Sequence, residues 1–188
     1  MKTSAIGYNL IKSYEGCRLN SYKCVPTEKY YTIGYGHYGV TKSLLITQQQ
    51  AEEYLELDIQ KAEKKVNKYQ QKYNFNQNQY DALVSFAFNL GTIDQLTANG
   101  TRTKEVIASK ILEYNKSSGR ILTGLTSRRK AEYYLYNTKM PEQHSIAEVA
   151  LEVINGEWGN GVARKLRLES CGYSYSEVQR EVNKLLQA

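Results

Sequence analysis

The 188-residue chain is poor in several residue types that mark particular protein classes. It has two prolines, which argues against collagen-like or proline-rich structure. Its three cysteines, Cys17, Cys24 and Cys171, are an odd number without a CxxC pair, so they supply no disulfide framework. With only His37 and His144 to join them, the spacing fits no zinc pattern, and neither a metal nor any other cofactor is expected. No apolar run approaches the roughly 20 residues that span a bilayer, so membrane insertion is not expected. The N-terminal stretch has a lysine but no continuous apolar segment, and no signal peptide is expected from it.

What is present is ordinary globular composition: 41% hydrophobic and 23% charged residues, enough to exclude wholesale disorder. Seventeen tyrosines stand against three phenylalanines. Two readings compete: an AT-rich coding sequence, which is the favoured one, and an aromatic surface that faces sugars. The formal charge is +6, which suits a polyanion such as nucleic acid, an anionic membrane or a bacterial wall. Residues 145–188 hold five basic and six acidic residues, so the positive charge belongs to the first 144. No helix-turn-helix, RNP or OB signature is present, so nucleic acid is not an expected partner.

Ile6, Leu10 and Ile11 lie at helical spacing before Glu15-Gly16. Residues 16–40 are glycine-rich around short β-prone pieces and predict a small β lobe. Thr47 and Gln50 form a capping box before a stripe of Ala51, Tyr54, Leu55, Asp58, Ile59, Ala62 and Val66. Asn78 is expected to cap the next helix, the most buried one, which ends at Gly91. Helices follow near 103–115 and 127–137, with a loop between them. The first of them carries Val106, Ile107, Ile111 and Leu112. The class is α+β. Residues 1–138 form the larger domain and the polar stretch 139–144 reads as a linker. Three helical signals over 145–188 predict a three-helix module, with capping boxes at Ser145/Glu148 and Ser174/Glu177 and stops at Gly156 and Gly172. Its stripes carry Val149, Ala150, Val153 and Ile154; Ala163, Leu166 and Leu168; and Val178, Val182, Leu185 and Leu186.

Glu15 stands where a helix ends and a glycine-rich β piece begins, which in a two-lobed protein is the mouth of a cleft. Apolar neighbours such as Tyr14 and Leu19 would raise its pKa and suit it to general acid catalysis. The motif E-G-x-R-L-x-x-Y from Glu15, followed by T-I-G-Y-G-H-x-G from Thr32, resembles the phage endolysin branch of the lysozyme superfamily, glycoside hydrolase family 24. Three further pieces agree in order: Ile46-Thr47-Gln-x-x-Ala51, the stretch from Asn78 to Gly91, and Gly124-Leu125-x-x-Arg128-Arg129-x-x-Glu132.

The resemblance implies a lysozyme-like two-lobed domain, with a small β lobe and a larger helical lobe. The implied substrate is the β-1,4 bond between N-acetylmuramic acid and N-acetylglucosamine. By resemblance Glu15 is the general acid, Cys24 takes the place that is Asp in most relatives, and Thr32 holds the attacking water, giving inversion. Seven residues separate Cys24 from Thr32 where the family has five, which reads as an insertion in the turn Val25–Tyr31. Tyr35 and His37 are candidate substrate-binding residues, His37 with the alternative of a hydrogen bond inside the glycine-rich turn. Arg128 and Arg129 are read either as wall contacts or with one of them paired to Glu132 at helical spacing. Oxidation of Cys17 and Cys24 to a disulfide is a further possibility, one that would block activity.

Ile154-x-Gly156-x-Trp158-Gly159-Asn160-Gly161-x-x-Arg164 and Gly172-Tyr173-x-Tyr175-x-x-Val178-Gln179 resemble the CW_7 wall-binding repeat. That implies peptidoglycan binding through Trp158, Gly159, Asn160, Gly161 and Arg164. For Trp158 a place in the module's core is an equal reading. The whole resemblance implies a Gram-positive wall as partner, and a protein held in the host cytoplasm until a holin opens the membrane. Two alternatives stay open: a lytic transglycosylase that gives 1,6-anhydro products, and a wall-binding protein without catalysis.

Overall fold

The sequence Ser4-Ala5 opens the first helix because the Ser4 side chain accepts from the backbone of Ile6. A computed structural model describes residues 1–138 and 144–187, without the side chains of Val162, Ala163, Leu166 and Ser170. The chain divides into two compact units, Met1–Thr138 and Lys139–Ala188. Most of the stretch read as a linker, residues 139–143, lies outside the described residues, as do the side chains of Ala163 and Leu166 from the predicted module stripe.

In the first unit α1 (Ala5–Glu15) is followed by β1 (Arg18–Tyr22), β2 (Tyr31–Gly34) and β3 (His37–Val40). The strands form an antiparallel sheet in the order β1-β2-β3. Thr32 lies opposite Tyr22 on one side and Tyr38 on the other, and Ile33 opposite His37. Then come α2 (Gln48–Tyr73), α3 (Gln77–Leu90), the short α4 (Asp94–Thr97), α5 (Lys104–Ile111), a two-stranded hairpin of β4 (Lys116–Ser117) and β5 (Arg120–Ile121), and α6 (Thr123–Asn137).

The expected two lobes are present, and α2 links them. Its start gives Ala51 to the small core with Ile33 and Ile46. Its later turns give Leu55, Ile59, Ala62 and Val66 to the large core around α3. In that core Ile11, Leu83, Val84, Ile93, Leu96, Ile107 and Ile111 are fully buried. Each such side chain contributes about 1.5–3 kcal/mol by leaving water. α3 packs against α1, α2 and α6, and is buried nearly all round, as predicted. Four tyrosines, Tyr69, Tyr73, Tyr80 and Tyr136, stand in this core. The buried hydroxyl of Tyr136 has no partner among the described residues, which fits a tyrosine standing where a phenylalanine would serve.

Several local expectations are corrected. Asn76 caps α3 in a full capping box with Gln79, while Asn78 lies inside the helix and donates to the Thr138 carbonyl at 3.1 Å. Ile6 is exposed, because α1 turns Gly7 and Ile11 inward. Val106 also faces solvent. The loop read between the last two helices contains the β4–β5 hairpin, turned by Ser118 and Gly119 at φ +48° and +77°. α6 starts at Thr123, four residues before the predicted start, and α2 runs on to Tyr73.

The second unit has α7 (Ile146–Ile154), α8 (Gly161–Ser170) and α9 (Tyr175–Leu186). Ser145 and Glu148 form the expected capping box. Ser174 receives the Glu177 amide, but the reciprocal half of that box is not formed. Val149, Ala150, Val153, Leu168, Tyr173, Val178 and Val182 make its core, whereas Ile154 and Leu186 are exposed. Among the described residues, no helix is long and apolar enough to cross a membrane.

Candidate active site

Glu15 is the last residue of α1, and Gly16 follows at φ +65° to turn the chain into β1. The turn aims the carboxylate at the glycine-rich connection between β2 and β3. A Cβ placed on Gly36 would stand 3.5 Å from Glu15 Oε2. Gly36 itself sits at φ +91°, a conformation that side chains strain to reach. Glycine there fits the turn and keeps the space beside Oε2 open.

The other oxygen is taken. Arg128 Nη1 donates to Glu15 Oε1 at 2.5 Å. The expectation of an apolar pocket around Glu15 is therefore corrected: its near neighbour is a guanidinium. Tyr14 does not wall the carboxylate off alone, since its hydroxyl donates to the Ser127 carbonyl and its ring lies 5.8 Å from the Arg128 guanidinium carbon.

Arg128 is itself fixed from behind. Its Nε donates to Glu132 Oε1 at 3.2 Å and its Nη2 to the Ser85 carbonyl at 3.1 Å. The same Glu132 oxygen accepts from Arg129 Nη2 at 2.9 Å and from the Ser85 hydroxyl at 2.8 Å. Glu132 and Arg129 are fully buried. Burial pushes the Glu132 carboxyl upward, and the two arginine charges oppose that shift. Both arginines are thus partners of Glu132, and neither is a surface contact. The helical spacing of Arg128 and Glu132 is visible in the sequence, but the reach of Arg128 to Glu15 is not. The G-L-x-x-R-R-x-x-E motif was the available signal.

Cys24 lies in the turn after β1, exposed and free. Its amide donates to Glu28 Oε2 at 2.9 Å. The Tyr22 hydroxyl connects it electrostatically to Glu15. Burial raises the Tyr22 pKa first, then the Cys24 thiol, with Glu15 adding to the rise and Arg18 opposing it. The Arg18 guanidinium carbon stands 4.5 Å from the Tyr22 ring centre. Thr32 is 5% exposed on β2, on the face opposite Ile33. Among the described residues no hydrogen bond is made to its hydroxyl.

Two candidate residues have other partners. The Tyr35 hydroxyl donates to Glu52 Oε1 and accepts from Gln48 Nε2, both at 2.9 Å. Burial and the Glu52 bond raise its pKa. Cys17, near the same cluster with its sulfur 3.7 Å from Gln48 Oε1, is also free and exposed. His37 does not bond within its turn: its Nδ1 lies 2.8 Å from Asp58 Oδ2 on α2, and its ring stacks on Tyr54 at 4.3 Å.

In the second unit Trp158 is half-buried. Its Nε1 donates to Glu152 Oε2 at 2.8 Å and its ring meets Tyr173 edge to face. Arg164 Nε donates to the Gly159 carbonyl and its Nη2 to Asn160 Oδ1, both at 2.8 Å. The bonds of this group thus run within the turn 159–161 that starts α8. Gly159 and Gly161 hold φ +72° and +57° there.

The first unit is a two-lobed α+β domain of lysozyme type, with a carboxylate on the last turn of its first helix facing a glycine-lined opening. Residues 12–132 match the family model of phage lysozyme, and residues 147–186 that of the CW_7 repeat. The chain belongs to the phage lysozyme family. It is 45% identical over 137 residues to the endolysin of Lactococcus phage c2, covering 73% of this chain and 61% of that protein. It is 44% identical over 155 residues to the endolysin of Bacillus phage PZA, covering 77% and 58%. The chain thus spans about three fifths of the length of these curated relatives. Among solved structures, the muramidase domain of SpmX from Asticaccaulis excentricus is 30% identical with a TM-score of 0.64, covering 73% of this chain and 99% of that one. The active form of the P1 phage endolysin Lyz is 28% identical with the same TM-score, covering 77% and 89%.

Proposed function

We propose that this chain hydrolyses the β-1,4 bond between N-acetylmuramic acid and N-acetylglucosamine in peptidoglycan. Glu15 protonates the glycosidic oxygen as the bond breaks. Water held by the Thr32 hydroxyl and the Cys24 thiol attacks the oxocarbenium-like sugar from the opposite face and releases a proton to solvent as the new C–O bond forms. The observation that carries this reading is the two-sided environment of Glu15: Arg128 fixes Oε1, while Oε2 faces the opening at Gly36. The Thr32 hydroxyl, without a hydrogen-bond partner among the described residues, supports a held water, and so hydrolysis over anhydro-ring closure.

The second unit binds the same wall, through Trp158, Gly159, Asn160, Gly161 and Arg164. A Gram-positive wall is the proposed partner, supported by relatives from Lactococcus and Bacillus phages. The protein waits in the host cytoplasm and reaches the wall when a holin opens the membrane.

The test is mass spectrometry of soluble muropeptides released from Gram-positive sacculi by the unsubstituted protein and by Glu15→Gln. Reducible N-acetylmuramic acid ends, lost in the variant, are the expected result. Dominant 1,6-anhydro ends would replace hydrolysis by transglycosylation. Absence of fragments from both proteins, with folded chain still bound to sacculi, would leave a wall-binding protein.

A further inference from the structure

Beside the candidate acid, and sharing Gly36 with it, lies a cavity of about 380 Å³. It is lined by Gly36 and Tyr38 from the sheet, Lys61 and Lys65 from α2, and Phe88 and Gly91 at the end of α3. Glu15 Oε2 abuts the open side of Gly36, and Gly36 also lines this cavity, so the cavity adjoins the candidate acid. The rings of Tyr38, which is half exposed, and Phe88 give it apolar surface suited to a sugar face.

Its charge is the unusual part. Lys61 Nζ donates to Asp58 Oδ1 at 2.7 Å, and the other Asp58 oxygen is held by His37. Asp58 is thereby used on both sides. Lys65, one helical turn beyond Lys61 and also exposed, has no carboxylate partner among the described residues. Two like charges four residues apart on one helix face oppose each other and weaken the helix. The fold gains no ion pair from Lys65 in return.

We propose that Lys65, with Lys61 beside it, forms a subsite for a carboxylate borne by the muramic acid residue of the substrate. This rests on the muramidase reading and adds what part of the substrate is recognised. A glycan built only of N-acetylglucosamine is neutral. Muramic acid carries a lactyl carboxyl group, which is either free or joined to a stem peptide that has carboxylates of its own. A lysine, as a mobile point charge, takes either source without demanding one geometry.

The test uses Glu15→Gln protein, with and without Lys65→Gln, titrated with short, teichoic-acid-free peptidoglycan chains. Binding is followed at the amide resonances of Phe88 and Gly91, which line this cavity and stand apart from Glu15. Three preparations are compared: peptide-bearing chains, amidase-stripped chains that keep only lactyl carboxylates, and peptide-bearing chains whose carboxylates have been amidated. Lys65→Gln is expected to weaken binding about two- to fivefold at low salt wherever the carboxylate is present, and to leave the amidated chains unaffected. Lys64→Gln, on the same helix but outside the cavity, gives no such loss. An effect confined to peptide-bearing chains assigns the carboxylate to the stem peptide. One confined to stripped chains assigns it to the lactyl group. Equal affinity of the two proteins for both charged preparations, or an equal loss on amidated chains, overturns the proposal. Cleavage of the same chains by the unsubstituted protein is measured in parallel. A failure there sinks the muramidase reading while the titration still decides the subsite.

Discussion

Arg128 joins Glu15 to Glu132: one edge of its guanidinium donates to the carboxylate at the end of α1, and another to a carboxylate buried under α3. Truncating it would leave Glu132 buried with Arg129 and Ser85 alone, and breaking a buried pair costs about 3–5 kcal/mol. Arg128→Ala is expected to lower the unfolding midpoint strongly. Arg128→Lys keeps a charge but cannot span both carboxylates, since it lacks the planar fork. It is expected to retain the fold and lose about tenfold or more in muropeptide release, or about 1.4 kcal/mol. Chemical denaturation together with a muropeptide assay separates the two effects. Full activity in Arg128→Lys would show that the fork is unnecessary.

Gly7 sets how closely α1 approaches α3. A Cβ there would meet Thr3 Cγ2 at 2.5 Å and Asp81 Cγ at 2.9 Å. Asp81 cannot readily yield, because its carboxylate accepts from the Ser4 amide at 2.9 Å and from the Ser4 hydroxyl at 2.5 Å. Gly7→Ala is expected to push α1 outward, cost about 1–3 kcal/mol, and lower activity by moving Glu15. Thermal unfolding and a muropeptide assay read both. A variant as stable and active as the parent would show that α1 shifts without cost.

The acid limb of stability has an identifiable contributor. The Tyr69 hydroxyl, then the Lys68 ammonium, lower the Asp94 pKa from 3.8 to about 2. A lowered folded-state pKa gives stability that is complete above the unfolded value. That stability is lost as pH falls through the folded value. The stability difference between the parent and Asp94→Asn is therefore expected to be constant above about pH 5, to shrink below pH 4, and to close only below about pH 2. Urea unfolding at several pH values checks this, and a gap unchanged down to pH 2 would refute it.

Trp158 is the only tryptophan, so its fluorescence reports on the second unit alone. Trp158→Phe keeps the edge contact with Tyr173 but loses the bond to Glu152, which is expected to cost about 1–3 kcal/mol through the carboxylate left behind. If this corner meets the wall, muropeptides should shift the emission of the parent protein. An unchanged spectrum at saturating ligand would move the binding surface away from Trp158.

Much of this architecture is legible in the sequence. The apolar stripe of α2 and the capping box at Thr47 follow from helical periodicity and side-chain chemistry, and both are present. The cap of α3 is misplaced by two residues when Asn78 is read as the cap, because Asn76 and Asn78 both precede the apolar run. Gln79, three residues after Asn76, decides between them. The β4–β5 hairpin escaped because each strand is two residues long and fully exposed, so no alternation marks it. At the candidate site, Glu15, Cys24 and Thr32 came from motif spacing. The partners of His37 and Glu15 lie on distant helices, and no local pattern encodes them.

The bond between Glu15 and Arg128 spans 113 positions of the chain. A ribosome has made nearly the whole first unit before that arginine exists. The nascent polypeptide therefore carries Glu15 early but lacks its guanidinium partner until synthesis of the unit is almost complete. Truncated products ending before α6 would carry Glu15 without its Arg128 partner, so this link between α1 and α6 is among the last the first unit can form.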